Sequence, residues 1–392
     1  DEKAFCSAMI LEGCTYYSFY VFVNSYNCNI LLMALWPMII YYFYKAVKFE
    51  KLRDWLLFGL TSGLAFLGKY QIVFLFIALF LYLIIASREQ FKKKGMYIAI
   101  LTGIAVISGH IIWLFKNDFF SFAYMLERTE SQTHNLPIIL VKLSHLFYPV
   151  KFIFGQIIAI LGCIGLYLLF AIHSKNISVV NCQDNKSDKI FLLIVFWIPV
   201  ISQGMMGLIT GNRVPSMWGS IMVSLAGILL FYFFPIKFKE NSFKYFTKLS
   251  YGAMAISLAI VGFYAILQNE FVISYPKLQI MTDFANMWNT KTQNSELKYV
   301  AGDFGLIFPY RIKNKQPKII LHTFGHKNPW IDYDDVHKSG LIIFAKTEPE
   351  LYMYAKELDF DKNDFEPQEY SVQVCNKLNR CDNDGFVYTI IK

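Results

Sequence analysis

The chain has 392 residues, of which 55% are hydrophobic, 18% aromatic and only 17% charged, with a mean hydropathy of +0.39. Soluble chains carry about a quarter charged residues, so this composition excludes a disordered protein and argues against an ordinary cytosolic enzyme. The net charge of +8 is unevenly divided: residues 269–392 hold 15 Lys+Arg against 17 Asp+Glu, whereas residues 1–268 hold 22 against 12.

An apolar, basic first part and a balanced second part predict two domains: a polytopic α-helical membrane bundle over 1–268 and a soluble α/β domain over 269–392. The chain opens with Asp1-Glu2-Lys3 rather than Met and runs at once into apolar sequence. The expectation is that Asp1 lies inside a longer reading frame. A helix crosses a bilayer in roughly 20 apolar residues. Stretches of about that kind fall at 4–22, 28–45, 55–68, 71–87, 97–115, 151–172, 189–208, 217–235 and 249–268, which predicts about nine spans. The short pair 55–68 and 71–87 reads as a hairpin with Lys69-Tyr70 at its tip. Between spans, Leu136–Tyr148 reads as an interfacial helix. In the tail, Leu297–Ala301, Lys318–His322 and Gly340–Ala345 read as strands and Pro349–Leu358 as a helix. Glu369–Cys375 and Gly385–Ile391 read as a closing strand pair.

Orientation follows from the lysine and arginine bias, because cationic flanks are retained in the cytoplasm. One set of loops carries 16 Lys+Arg, among them Lys45, Lys48, Lys51, Arg53 and Arg88; the opposite set carries 6, namely Lys69, Lys116, Arg128, Lys142, Lys151 and Arg213. The first set is read as cytoplasmic. The tail and the Lys69 tip are then extracytoplasmic, in a bacterial inner membrane with the tail in the periplasm. The basic excess is a topology signal, and no nucleic-acid partner is expected.

Ionisable groups in or beside a membrane are functional candidates by default. Lys69 could hold a lipid-linked phosphate or simply snorkel to the headgroups. Asn24, Asn27 and Asn29, at the outer end of the first hairpin, could bind sugar hydroxyls or form turns. The stretch from Lys116-Asn117-Asp118 to Glu127-Arg128-Thr129-Glu130 could supply an acid/base group and a phosphate clamp, or be a solvated loop. Arg213 offers bidentate contact to phosphate, and Trp218 a stacking face or an interface anchor. His322 and His326 resemble metal spacing, but Gly325 and Pro329 favour a loop. Cys375 and Cys381 suit a local disulfide in an oxidising compartment. Nucleotide-binding glycine motifs are missing from the sequence.

Taken together, these segments resemble the bacterial protein-mannosyltransferase-like membrane glycosyltransferases of the GT-C class, a group that includes the aminoarabinose transferase of lipid A. The similar parts are Trp55…Gly59-Leu60…Gly63-Leu64-Ala65-Phe66-Leu67-Gly68-Lys69-Tyr70, Trp113-Leu114…Asn117-Asp118-Phe119…Phe122, and Phe152…Gly155-Gln156. In the tail they are Ala301-Gly302-Asp303 and His322…Asn328-Pro329-Trp330-Ile331-Asp332. The resemblance implies transfer of a sugar from a polyprenyl-phosphate donor to an extracytoplasmic lipid, glycan or protein, with inversion. It implies donor-phosphate binding by Lys69, with Arg128 and Arg213 as further cations, and sugar or acceptor contacts from Asn24, Asn27, Asn29, Tyr70 and Trp218. The family's catalytic carboxylate lies in a long outer loop after the first span, and that loop is absent here. No general base is therefore assigned; Asp118, Glu127 and Glu130 stand as substitutes. No cofactor is indicated with certainty, and a divalent metal ion is left open. A flippase for a lipid-linked saccharide, or a non-catalytic remnant that binds a glycan, are the competing expectations.

Overall fold

The computed structural model describes residues 28–122, 138–174, 186–210, 214–234, 240–271, 277–293, 295–302, 317–321, 328–375 and 381–392. The chain divides into two units, Asp1–Trp113 with Thr129–Ala265, and Leu114–Arg128 with Ile266–Lys392.

In the first unit the apolar runs fold as helices: α1 (Cys28–Phe49), α2 (Leu52–Gly68), α3 (Val73–Ala86), α4 (Lys94–Lys116), α5 (Ile138–Ser174), α6 (Lys186–Thr210), α7 (Ala226–Phe233) and α8 (Glu240–Phe271). Among the described residues, four segments are long and apolar enough to cross a membrane: Cys28–Phe49, Lys94–Lys116, His145–Ile172 and Lys186–Thr210. A shorter apolar stretch covers Tyr70–Ala86. The expected span at 4–22 lies outside the described residues. The interfacial helix expected at Leu136–Tyr148 is not separate: residues 138–148 continue into one 37-residue helix, α5, through Pro149.

The span expected at 217–235 is also corrected. It begins as a 3₁₀ turn, Ser216–Gly219, continues through turns to Leu225, and becomes α-helical only at Ala226–Phe233. The reason is competition for backbone acceptors. Side-chain amides of Gln156 and Gln71 occupy the Ser216 and Trp218 carbonyls, which an α-helix would have offered to residues 220 and 222. Met222, Ser224 and Ala226 instead donate three residues back.

The α2–α3 hairpin closes as its flanking charges suggested. Lys93 pairs with Glu50 at 3.0 Å, joining the segment after α3 to the α1–α2 connection. At the same end Lys45 pairs with the buried Asp54 at 3.5 Å, and Lys48 with Asp188 at 3.4 Å. Helix α1 has 22 residues and so is about 33 Å long. Asn29 and Lys69 therefore lie at the end of the unit opposite this charged rim. Small residues bring α2 against α4. A Cβ on Gly59 would stand 2.3 Å from the Ala99 carbonyl oxygen, and one on Gly63 would stand 2.7 Å from Val106 Cβ. Between α2, α3 and α4 remains an apolar cleft of about 330 Å³, walled by Phe58, Phe66, Phe76 and Phe80.

The second unit contains α9 (Lys277–Thr292), β1 (Tyr299–Gly302), β2 (Lys318–Leu321), α10 (Tyr333–Ser339), β3 (Leu341–Ala345), α11 (Glu348–Glu357), β4 (Gln368–Cys375) and β5 (Cys381–Ile391). The strands form one sheet in the order β2-β1-β3-β5-β4. Strands β1, β2 and β3 are parallel, and β5 runs antiparallel to both β3 and β4. Alternate side chains of the central strands face opposite layers. Val300, Ile342 and Phe344 pack with Phe284 and Trp288 of α9, while Ala301, Leu341 and Ile343 pack with Val336 of α10 and Leu351 of α11. Cys375 and Cys381 face each other where the β4–β5 connection begins and ends, and are joined as a disulfide.

At the start of β1, Tyr299 donates to Asp335 Oδ2 at 2.8 Å, and Lys298 and Ser339 also donate to this carboxylate. These bonds, Tyr299's first, hold the Asp335 carboxyl below its ordinary value, and burial followed by Asp335 pushes the Tyr299 phenol up to about 12. A depressed carboxylate contributes stability above its unfolded pKa, about 3.9, and that contribution is lost as pH falls through the folded value. The urea midpoint of the tail's near-ultraviolet circular dichroism should therefore fall below about pH 4, and Asp335→Asn should flatten that fall. Parallel midpoint curves for parent and variant would contradict the assignment.

Candidate functional site

The end of the first unit opposite the charged rim carries the candidate site. Helix α2 stops at Lys69, whose backbone is extended (φ −168°, ψ 131°). The chain then turns through a 3₁₀ segment, Tyr70–Ile72, into α3. A cation at a helix C-terminus is favoured by the helix dipole. Lys69 Nζ donates to Asn29 Oδ1 at 2.8 Å and lies 4.9 Å from the ring centroid of Trp218. Three of the residues singled out in the sequence, Asn29, Lys69 and Trp218, are thus brought together from α1, the α2–α3 tip and the Ser216–Gly219 turn. An ammonium over an indole face gains about 0.5–2 kcal/mol depending on its desolvation. Asn29 and Trp218 are both uncharged partners of the ammonium.

Tyr70 points elsewhere. Its hydroxyl is 2.6 Å from His110 Nε2, its ring lies against Phe66, and His110 stacks on Trp113 with ring centroids 5.8 Å apart. His110 was not singled out from sequence. Its position inside an apolar span was the signal that could have found it, since intramembrane ionisable groups rarely lack a function. The buried amides of Gln71 and Gln203, 7% and 1% exposed, were not singled out either; Gln156, 3% exposed, stood only in the Gly155-Gln156 motif, and the signal for all three is a polar side chain in apolar sequence.

Asp118 is exposed in the turn after α4, at φ +47°, and belongs to the second unit. Asp and Asn tolerate this left-handed region better than most residues. Asn24, Asn27, Glu127, Arg128, Glu130, Arg213, His322 and His326 lie outside the described residues. Among the described residues no group of three His, Cys, Asp or Glu side chains stands close enough to hold a metal ion.

Residues 1–113 match the family described as dolichyl-phosphate-mannose-protein mannosyltransferase. Neither a curated protein nor a solved structure matches the chain. The matched segment includes Asn29, Lys69, Tyr70 and His110, and four apolar helices of spanning length accompany it. Over these 113 residues, then, the chain is similar to the protein mannosyltransferases, membrane glycosyltransferases by that description.

Proposed function

We propose that this protein transfers a sugar from a polyprenyl-phosphate donor to an acceptor on the outer face of the membrane, using a GT-C-type bundle (1–268) and an extracytoplasmic α/β domain (269–392). The observation that carries the reading is the Lys69 ammonium, which lies with Asn29 in the family-matched segment and is set at a helix end by Asn29 and, from outside that segment, Trp218. An acceptor oxygen attacks the anomeric carbon from the face opposite the phosphate. The bond from that carbon to the phosphate oxygen breaks, and polyprenyl phosphate departs with the electron pair. The acceptor proton passes to a carboxylate, for which Asp118, Glu127 and Glu130 are the candidates. Lys69 neutralises the charge that grows on the departing phosphate, with Arg128 and Arg213 as further cations. Asn24, Asn27, Asn29 and Trp218 contact sugar or acceptor, whereas the Tyr70 hydroxyl is engaged by His110. The apolar cleft between α2, α3 and α4 offers room for an isoprenoid tail, and its Phe66 wall touches Tyr70, the neighbour of Lys69.

The orientation rests on the loop charges, 16 against 6, and on the Cys375–Cys381 disulfide. Such a bond persists where thiols are not kept reduced. The full chain in vesicles containing a radiolabelled polyprenyl-phosphate sugar is expected to consume the lipid-linked sugar, by transfer or by slow hydrolysis. Translocation of the intact lipid without its consumption would favour a flippase, and neither event would favour a binding protein.

A further inference from the structure

The Ser216–Gly219 turn is fastened to the bundle by the buried amides of Gln156 and Gln71, the second of which is braced by Gln203. Gln156 Nε2, on α5, donates to the Ser216 carbonyl at 2.8 Å and to the Phe152 carbonyl at 3.2 Å. Gln71 Nε2, beside Lys69, donates to the Trp218 carbonyl and, at 2.7 Å, to Gln203 Oε1 on α6. Backbone carbonyls only accept, so Gln156 and Gln71 must each present a nitrogen to the turn, while Gln203 presents its oxygen to Gln71. Two glycines complete the seat. A Cβ on Gly219 would stand 2.3 Å from Gln156 Cδ, and one on Gly155 would stand 2.6 Å from Ser216 Oγ. The Gly155-Gln156 pair, a motif with no role in the chemistry above, is thus the docking surface for this turn.

The fastening has a cost. Among the described residues the buried amide oxygens of Gln71 and Gln156 have no hydrogen-bond partner, and an unsatisfied buried acceptor destabilises a fold. Amides retained at that cost are explained by what they position. They hold the turn that lays Trp218 over the Lys69 ammonium, at the end of a side chain with four rotatable carbons that would otherwise sample many orientations.

We propose that Gln71, Gln156 and Gln203 are positioning residues for the donor phosphate: they lock the Ser216–Gly219 turn so that Trp218 and Asn29 together pre-orient Lys69. This rests on the reading of Lys69 as the phosphate ligand. The test measures decaprenyl phosphate and decaprenol binding to the full chain in nanodiscs. Gln156→Glu keeps the side-chain size and loses the amide donor. It is expected to weaken decaprenyl phosphate about tenfold while leaving decaprenol unchanged, and Gln71→Met should do the same. If the glutamines act through Trp218, Gln156→Glu should add nothing further in a Trp218→Ala background. Losses that multiply in the double variant, or that fall equally on decaprenol, would overturn the positioning role, as would wild-type phosphate affinity in both glutamine variants. Undiminished phosphate binding in Lys69→Ala is a separate result, which would instead remove the phosphate role of Lys69.

Discussion

Lys69→Ala is expected to lower turnover of a polyprenyl-phosphate sugar by about 100- to 1,000-fold, the usual loss when one preorganised partner of a developing anion is removed. The argument is electrostatic and geometric together. The leaving phosphate gains negative charge as its bond to the anomeric carbon breaks. A cation already held by Asn29 at 2.8 Å and by the Trp218 face has little reorganisation left to do when that charge appears. Lys69→Arg keeps the charge but replaces a compact ammonium with a planar fork, which fits neither contact in the same way; an intermediate loss is expected. Asn29→Ala should cost less, because it removes an orienting acceptor and leaves the charge. Turnover and donor affinity for the three variants, in the same vesicles, check the order. Turnover in Lys69→Ala within threefold of the parent would remove Lys69 from the mechanism.

Gly302→Ala is expected to be the most damaging single-atom change in the second unit. Gly302 ends β1 at φ +141°, a region that side chains rarely enter. A Cβ there would stand 2.0 Å from the Phe344 carbonyl oxygen and 3.1 Å from its carbon, both backbone atoms of β3. Strand β3 cannot yield, because it is paired on both sides and Leu341 through Ala345 are all buried. Strain of this kind costs about 1–3 kcal/mol from the dihedral alone, and forced overpacking adds about as much again. The tail should therefore lose most of its resistance to protease in the full chain. Gly385→Ala is the matched control: Gly385 also lies in a strand, β5, but its Cβ would meet nothing within 4 Å. Equal protease resistance in the two variants would show that the crowding at Gly302 is relieved by movement elsewhere.

Much of this architecture is written in local pattern. Apolar runs punctuated by lysines mark α1 to α6, and the alternation at Tyr370, Val372 and Val374 marks β4 as a one-sided strand. The Gly68-Lys69-Tyr70 break marks the hairpin tip, since the apolar run stops there and resumes at once. What escaped the sequence depends on partners far along the chain. Nothing near Trp218 says that its carbonyl will be taken by Gln71, 147 residues away, so an apolar stretch read as a helix becomes a turn. Nothing near Pro149 says that residues 138–148 will extend α5 instead of lying at an interface. The meeting of Lys69 with Trp218 is likewise invisible locally. Each was a candidate on its own chemistry, and only the packing of α1, the hairpin tip and the turn makes them neighbours.

The acidic residues opposite the site have a further consequence. Lys45 and Lys48 are among the loop charges on which the proposed orientation rests, yet they also tie α1 to Asp54 of α2 and Asp188 of α6. Mutating these lysines to probe insertion thus loosens a helix junction as well, and a phenotype would be ambiguous. Replacing Asp54 or Asp188 with a neutral residue separates the two roles: the threading signal stays whole while the stitch is undone.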